Sequence, residues 1–174
     1  MRRLAQLGIA VAAAAILIAV AGSFWRSGGG PTGFRDVRWG TTEAALRARI
    51  PIAYCFPVDT GVDFGTRRCR ADRGVKIGEV LPNGLWFFLR DDAFVAWRLD
   101  VSMDDGTTMR KALGERYGTP SETSRDRMVW RGRAGSVMVG RNGYQDIVIG
   151  LSATEMNRIA APAKDAASQA AKGL

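Results

Sequence analysis

Two cysteines, a run of arginines and two adjacent acid pairs are the residues of this chain with chemistry to offer. Histidine is absent, which removes the commonest general base, the common nucleophilic triads and most zinc sites. Cys55 and Cys69 are the only cysteines. Two thiols without histidine make an incomplete zinc set, and no C-x-x-C redox motif is present, so a structural disulfide is expected. Closing a loop of about 15 residues this way stabilises by about 3 kcal/mol in the chain-entropy picture. Arg67, Arg68, Arg70 and Arg73 form the one concentrated basic run. They read either as a solvated loop pinned by the disulfide or as a contact site for acidic groups, such as anionic lipid headgroups or an acidic protein surface. Asp91-Asp92 and Asp104-Asp105 are paired in sequence only, because neighbours on a strand point to opposite faces. The first pair reads as a turn and the second as a helix opening. A glycosidase pair instead needs carboxyls about 5–10 Å apart across a cleft. Gly140-Arg141-Asn142-Gly143 precedes a strand, which makes it a hairpin turn and not a phosphate cradle.

These residues are positioned by a strand pair, Gly84–Ser102, the densest aromatic stretch with the clearest period-two pattern. Folding back about Asp91-Asp92 sets Leu89 opposite Phe94, Phe88 opposite Val95 and Trp86 opposite Trp97. Alternation then gathers Trp86, Phe88, Val95, Trp97, Leu99 and Val101 on one face, read as core rather than as a sugar-stacking platform. The other face has an apolar tip of Phe87, Leu89, Phe94 and Ala96. Either helices cover that tip or it is a contact patch for another protein. Phe87, Leu89 and Phe94 therefore join the four arginines as partner-binding candidates.

The N-terminus carries an export signal. Arg2 and Arg3 precede an uncharged run from Leu4 to Trp25, about 33 Å long as a helix and enough for a bilayer core of about 30 Å. Residues 1–25 read as an uncleaved signal anchor or a cleaved signal peptide, with Ala19-Val20-Ala21 as a cleavage site. Either way the arginine pair stays cytoplasmic and the rest is exported, to a periplasmic location tethered to the inner membrane if the anchor is kept. Outside the cytoplasm a disulfide is favoured. Setting Arg2, Arg3 and Arg26 aside leaves 22 basic residues against 17 acids, a modest surplus that argues for no particular polyanion and, on the exported side, not for nucleic acid. No cofactor or metal is expected.

Residues 26–33 read as a flexible linker, 34–160 as the exported domain, and 161–174 as an alanine-rich tail. Gly40-Thr41-Thr42 is expected to open a helix to Ile50, followed by a buried strand at Ile52–Pro57, loops carrying the arginines, and a strand at Val75–Leu81. Gly106-Thr107-Thr108 is expected to open a second helix to Tyr117, with Met109, Ala112, Leu113 and Tyr117 on one stripe and Gly118 ending it. Strands follow at Arg127–Arg131, Ser136–Arg141 and Gln145–Leu151. The two Gly-Thr-Thr openings, each followed by a leucine, an arginine and a proline, suggest tandem units. The expected fold is α+β: tandem α-β-β-β units forming one antiparallel sheet with helices on one face, preceded by a membrane segment.

The motif G-T-T-x-x-x-x-L-x-x-x-Y-G-x-P at Gly106–Pro120 resembles the helix opening of small bacterial outer-membrane assembly lipoproteins, although no lipidated cysteine follows the apolar run here. The tandem arrangement is similar to the fold of the β-lactamase inhibitor protein, and Phe34–Gly40 (FRDVRWG) resembles small exported bacterial proteins of unassigned function. The resemblance implies a noncatalytic binding or assembly module that meets an envelope protein or an anionic surface. An envelope hydrolase using Asp and Glu, or an accessory subunit of a larger membrane complex, is the alternative.

Overall fold

The computed structural model describes residues 30–59 and 64–161. The expected membrane segment, half of the expected linker and nearly all of the tail lie outside them. Among the described residues no helix is long and apolar enough to cross a membrane.

The first elements are a short ribbon, β1 (Gly33–Phe34) with β2 (Val37–Arg38), and a brief helix, α1 (Glu43–Arg47). Thr42 caps α1 by accepting a hydrogen bond from the Ala45 N–H, and Glu43 sits at the positive helix end. Four strands follow: β3 (Ile52–Pro57), β4 (Arg67–Ala71), β5 (Gly84–Arg90) and β6 (Ala93–Ser102). Then come α2 (Met103–Tyr117), β7 (Glu122–Thr123), β8 (Arg127–Arg131), β9 (Gly135–Asn142) and β10 (Gln145–Ser152). A last helix, α3, occupies residues 153–161. The long strands make one eight-stranded sheet in the order β3-β4-β5-β6-β10-β9-β8-β7, and each of its pairings is antiparallel. The chain is thus a large antiparallel sheet with helices, as expected of an α+β fold, with four strands after each of the first two helices where three were expected.

Several expectations are corrected. The strand expected at Val75–Leu81 is a turn closed by a bridge between Ile77 and Val80. The strand that pairs with β5 is the basic run itself, because Cys69 and Ala71 alternate with the arginines and supply its buried face. Gly106 does not open α2. Ser102 caps it four residues earlier, its hydroxyl accepting from the Asp105 N–H and donating to the Asp105 carboxylate, a reciprocal cap that outranks the Gly-Thr-Thr signal. The two Gly-Thr-Thr stretches are therefore not equivalent positions. Ala112 is exposed, so the buried stripe of α2 is Gly106, Met109 and Leu113. Gly118 ends the helix at φ 78° as expected. Residues 30–33, the end of the expected linker, are docked on the domain. Gly30 lies against Gly132, and the Trp39 indole donates to the Pro31 carbonyl.

The central hairpin turns at Asp91 and Asp92, both at positive φ (50° and 60°), a conformation that two-residue hairpins require and Asp tolerates. Past the turn, Val95 is an extra residue. Leu89 pairs with Phe94 as expected, but Phe88 pairs with Ala96, Phe87 with Trp97, and Trp86 with Arg98. The bulge flips the expected faces. Trp97, Leu99 and Val101 share the main core with Leu85, Phe87, Leu89 and Phe94, beneath Phe34, Leu46, Ile50, Met109 and Leu113. Phe34 meets Phe87 and Trp97 edge-on, with centroids 5.1 and 5.2 Å apart, and Trp39 packs 4.9 Å from Phe94. The apolar tip is covered. Phe87, Leu89 and Phe94 are 0–1% exposed, so they are not available as the contact patch considered from sequence.

Among the described residues, the opposite face is closed at the turn end alone. There Phe88, Val95 and Ala96 pack with Phe64, Trp86 and Leu151. On that side α3 is anchored by Glu155, which reaches Arg90, and by Met156, whose sulfur accepts from the Ser136 hydroxyl. The helices are therefore not confined to one face.

Candidate functional site

The site is built on β4. Alternation sends Cys69 and Ala71 toward the helices and Arg68 and Arg70 to the open face. Register places Arg68 between Phe56 and Phe88, and Arg70 between Tyr54 and Trp86. On the edge strand, Tyr54 and Phe56 stack at 5.9 Å. The Arg68 guanidinium carbon lies 4.9 Å from the Phe56 ring centre and 4.8 Å from that of Trp86. Arg70 lies 5.0 Å from Trp86. Each such contact is worth about 0.5–1 kcal/mol at exposed sites. Arginine suits this role better than lysine, since its planar guanidinium stacks on a ring and still presents N–H groups at its edge. Tyr54 is 46% exposed, while Phe56, Trp86, Arg68 and Arg70 are half-buried.

The rest of the open face differs. Arg98 is paired with Asp100 at 2.8 Å. Met138, Ile147 and Ile149, cross-strand neighbours, form a half-buried apolar stripe. At the far edge Arg131 and Arg127 both bind Glu122, and their hydrogen bonds hold its carboxyl below the usual range.

The four candidate arginines are thus divided. Arg68 and Arg70 belong to the open face. Arg67 points to the helix side, 2.7 Å from Glu43, which also binds Arg47 at 2.8 Å. Arg73 lies beyond the strand, beside Arg70 in a cleft. The run is not one patch, because a strand deals consecutive side chains to opposite faces. Sequence reasoning missed Tyr54 and Phe56 as site residues. The signal was Arg-Arg-Cys-Arg alternating in register with Tyr-Cys-Phe, read through the shared cysteines.

Cys55 and Cys69 are directly opposed on β3 and β4 and are joined by a disulfide, as expected. Glu43 lies within 4.8 Å of both sulfurs, a grouping that resembles a metal set. The thiols are consumed by their bond, however, and Arg47 stands 3.0 Å from the Cys55 sulfur. Guanidinium charges at that spot disfavour a cation.

The buried carboxylates are structural. Asp146, 1% exposed, faces Arg110 at 2.8 Å and Arg141 at 3.7 Å. Neither of its oxygens has a well-aligned hydrogen bond, so charge holds it. Glu155, also 1% exposed, accepts from Arg90, Arg158 and the Gly65 N–H. Burial alone raises its pKa, but the hydrogen bonds from Arg158, Arg90 and Gly65 outweigh it and bring the carboxyl down to about 2. Asp92 serves as a strut, accepting from the Glu43 N–H at 3.0 Å. Compared with family models, curated proteins and solved structures, the chain matches none.

Proposed function

We propose that this chain is a noncatalytic interaction module of the bacterial envelope, exported and held at the inner membrane by its N-terminal segment. The open sheet face around Tyr54, Phe56, Arg68, Arg70 and Trp86 binds an acidic surface on a partner protein. The observation that carries this reading is the Arg68 guanidinium over both the Phe56 and Trp86 rings and the Arg70 guanidinium over Trp86, beside an exposed tyrosine. Tryptophan, tyrosine and arginine are the residues in which interface energy concentrates. A guanidinium suits bidentate carboxylate contacts, and Arg70, over the Trp86 ring, is placed on this face to make them. The helix-then-strands order, repeated and joined across β6 and β10, supports reading the domain as tandem units. The acids considered for hydrolysis have other work: Asp91 and Asp92 make a turn, and the Asp105 carboxylate accepts from Ser102, the cap of α2.

Crosslinking in intact cells tests the proposal. Wild type captures a defined envelope protein, whereas Tyr54→Asp and Arg68→Glu lose it while keeping the disulfide and the near-ultraviolet circular dichroism of the folded domain. If both variants capture the same protein as wild type, this face is not the binding surface.

A further inference from the structure

We infer that the cleft between the end of β4 and the approach to β5 is a site for a carboxylate borne on a branched apolar group. The cleft encloses about 290 Å³ and is lined by Arg70, Arg73, Asp72, Val75, Leu81 and Leu85, among others. That volume is at the small end for ligand pockets, about 300–1,000 Å³, and suits one acyl group or one terminal residue of a peptide. Two arginines, Arg70 and Arg73, are among its lining residues beside one acid, Asp72. Neither Arg70 nor Arg73 has a carboxylate within salt-bridge reach among the described residues, whereas Arg47, Arg67, Arg90, Arg98, Arg110 and Arg158 each have one. Arg70 is steadied by its contact with Trp86, which lowers the entropy lost when it takes an anion. Val75 and Leu85 are buried at 9% and 4% exposure and give the cleft an apolar wall, while Leu81 is 51% exposed at its mouth. A half-exposed aliphatic side chain beside two arginines that have no acid within salt-bridge reach among the described residues is what a ligand with an acidic head and an apolar body would complete. A bare anion would leave the wall unused.

The inference shares Arg70 with the aromatic stack, but Arg73 and Leu81 belong to the cleft alone, so variants at Arg73 separate its failure from that of the proposed function. The oxidised full-length protein, in detergent, is titrated by ¹H–¹⁵N NMR with 4-methylpentanoate and with the peptide Ac-Gly-Gly-Leu. Controls are Ac-Gly-Gly-leucinamide, which lacks the charge, and inorganic phosphate, which lacks the apolar body. Saturable shifts at the amides of Arg73, Leu81 and Leu85 are expected with the acids. Tighter binding of the peptide assigns a chain terminus as the natural source, and tighter binding of 4-methylpentanoate assigns a free acid. Both controls should bind at least about tenfold more weakly, the equivalent of about 1.4 kcal/mol. Arg73→Gln, at an exposed position, should weaken the acids about tenfold, on the scale of one charged hydrogen bond, with the rest of the spectrum unchanged. Tyr54→Ser, which removes the exposed ring of the sheet face and adds no charge beside Arg70, should leave the titration as in wild type. Equal binding of phosphate or of the leucinamide, no saturable binding of either acid, or an unaffected Arg73→Gln variant would each overturn the site.

Discussion

Gly106 and Gly114 lie in the same helix and should respond oppositely to alanine. In a helix interior, Gly→Ala ordinarily stabilises by about 0.5–1 kcal/mol. A Cβ on Gly114 meets nothing within 4 Å, so Gly114→Ala is expected to show that gain. A Cβ on Gly106 falls 2.1 Å from the Oδ2 of Asp146, the oxygen that Arg110 faces at 2.8 Å. Gly106→Ala must push the buried carboxylate off its arginine, and a loss of about 1–3 kcal/mol is expected instead, the usual scale of overpacking. Urea unfolding of the two variants checks both signs. Gly150 belongs to the same class, since its missing side chain leaves room for the Trp97 indole, 2.2 Å from where a Cβ would sit. None of these demands is visible at the glycine itself, because each is set by a residue far off in sequence.

Glu155 ties three elements together: α3 through Arg158, β5 through Arg90, and the segment before β4 through the Gly65 N–H. Its pKa is lower in the folded protein, about 2 against an ordinary 4.5. The unfolded chain therefore binds this proton first as pH falls, and the clasp contributes its full stability above about 4.5 and loses it as pH drops toward 2. The protection factors of residues 153–161, with the intrinsic pH dependence of amide exchange divided out, are expected to stay level from neutrality to that window and then to fall below it. Glu155→Gln should exchange fast throughout and show no such step. The β6 bulge acts at the same scale. One added residue, Val95, moves Trp97 to the helix side and leaves Trp86 on the other, and so places Trp86 where Arg68 and Arg70 can stack on it.

At the scale of the whole molecule, export and oxidation should go together. Alkaline phosphatase joined after Leu174 is expected to be active in cells, and protein isolated from its native compartment should carry no reactive thiol. Reducing the Cys55–Cys69 bridge, which spans a sequence separation of 14, should lower unfolding free energy by about 3 kcal/mol, measured by denaturant unfolding with the slope fitted separately, since the freed unfolded chain also exposes more surface. The hairpin, most strands, the α1 cap, the disulfide and the absence of histidine chemistry were legible from sequence, because alternation, turn residues and cysteine count are local or compositional signals. Which side of the sheet each aromatic faces was not. Side-chain direction along a strand has period two, and a single bulged residue, favoured by packing against Phe34 and Trp39 from elsewhere in the chain, inverts everything beyond it. For the same reason the arginine run could be seen as a cluster in the sequence, yet only the pairing of β4 between β3 and β5 decided that Arg67 would serve the fold while Arg68 and Arg70 were dealt to the open face.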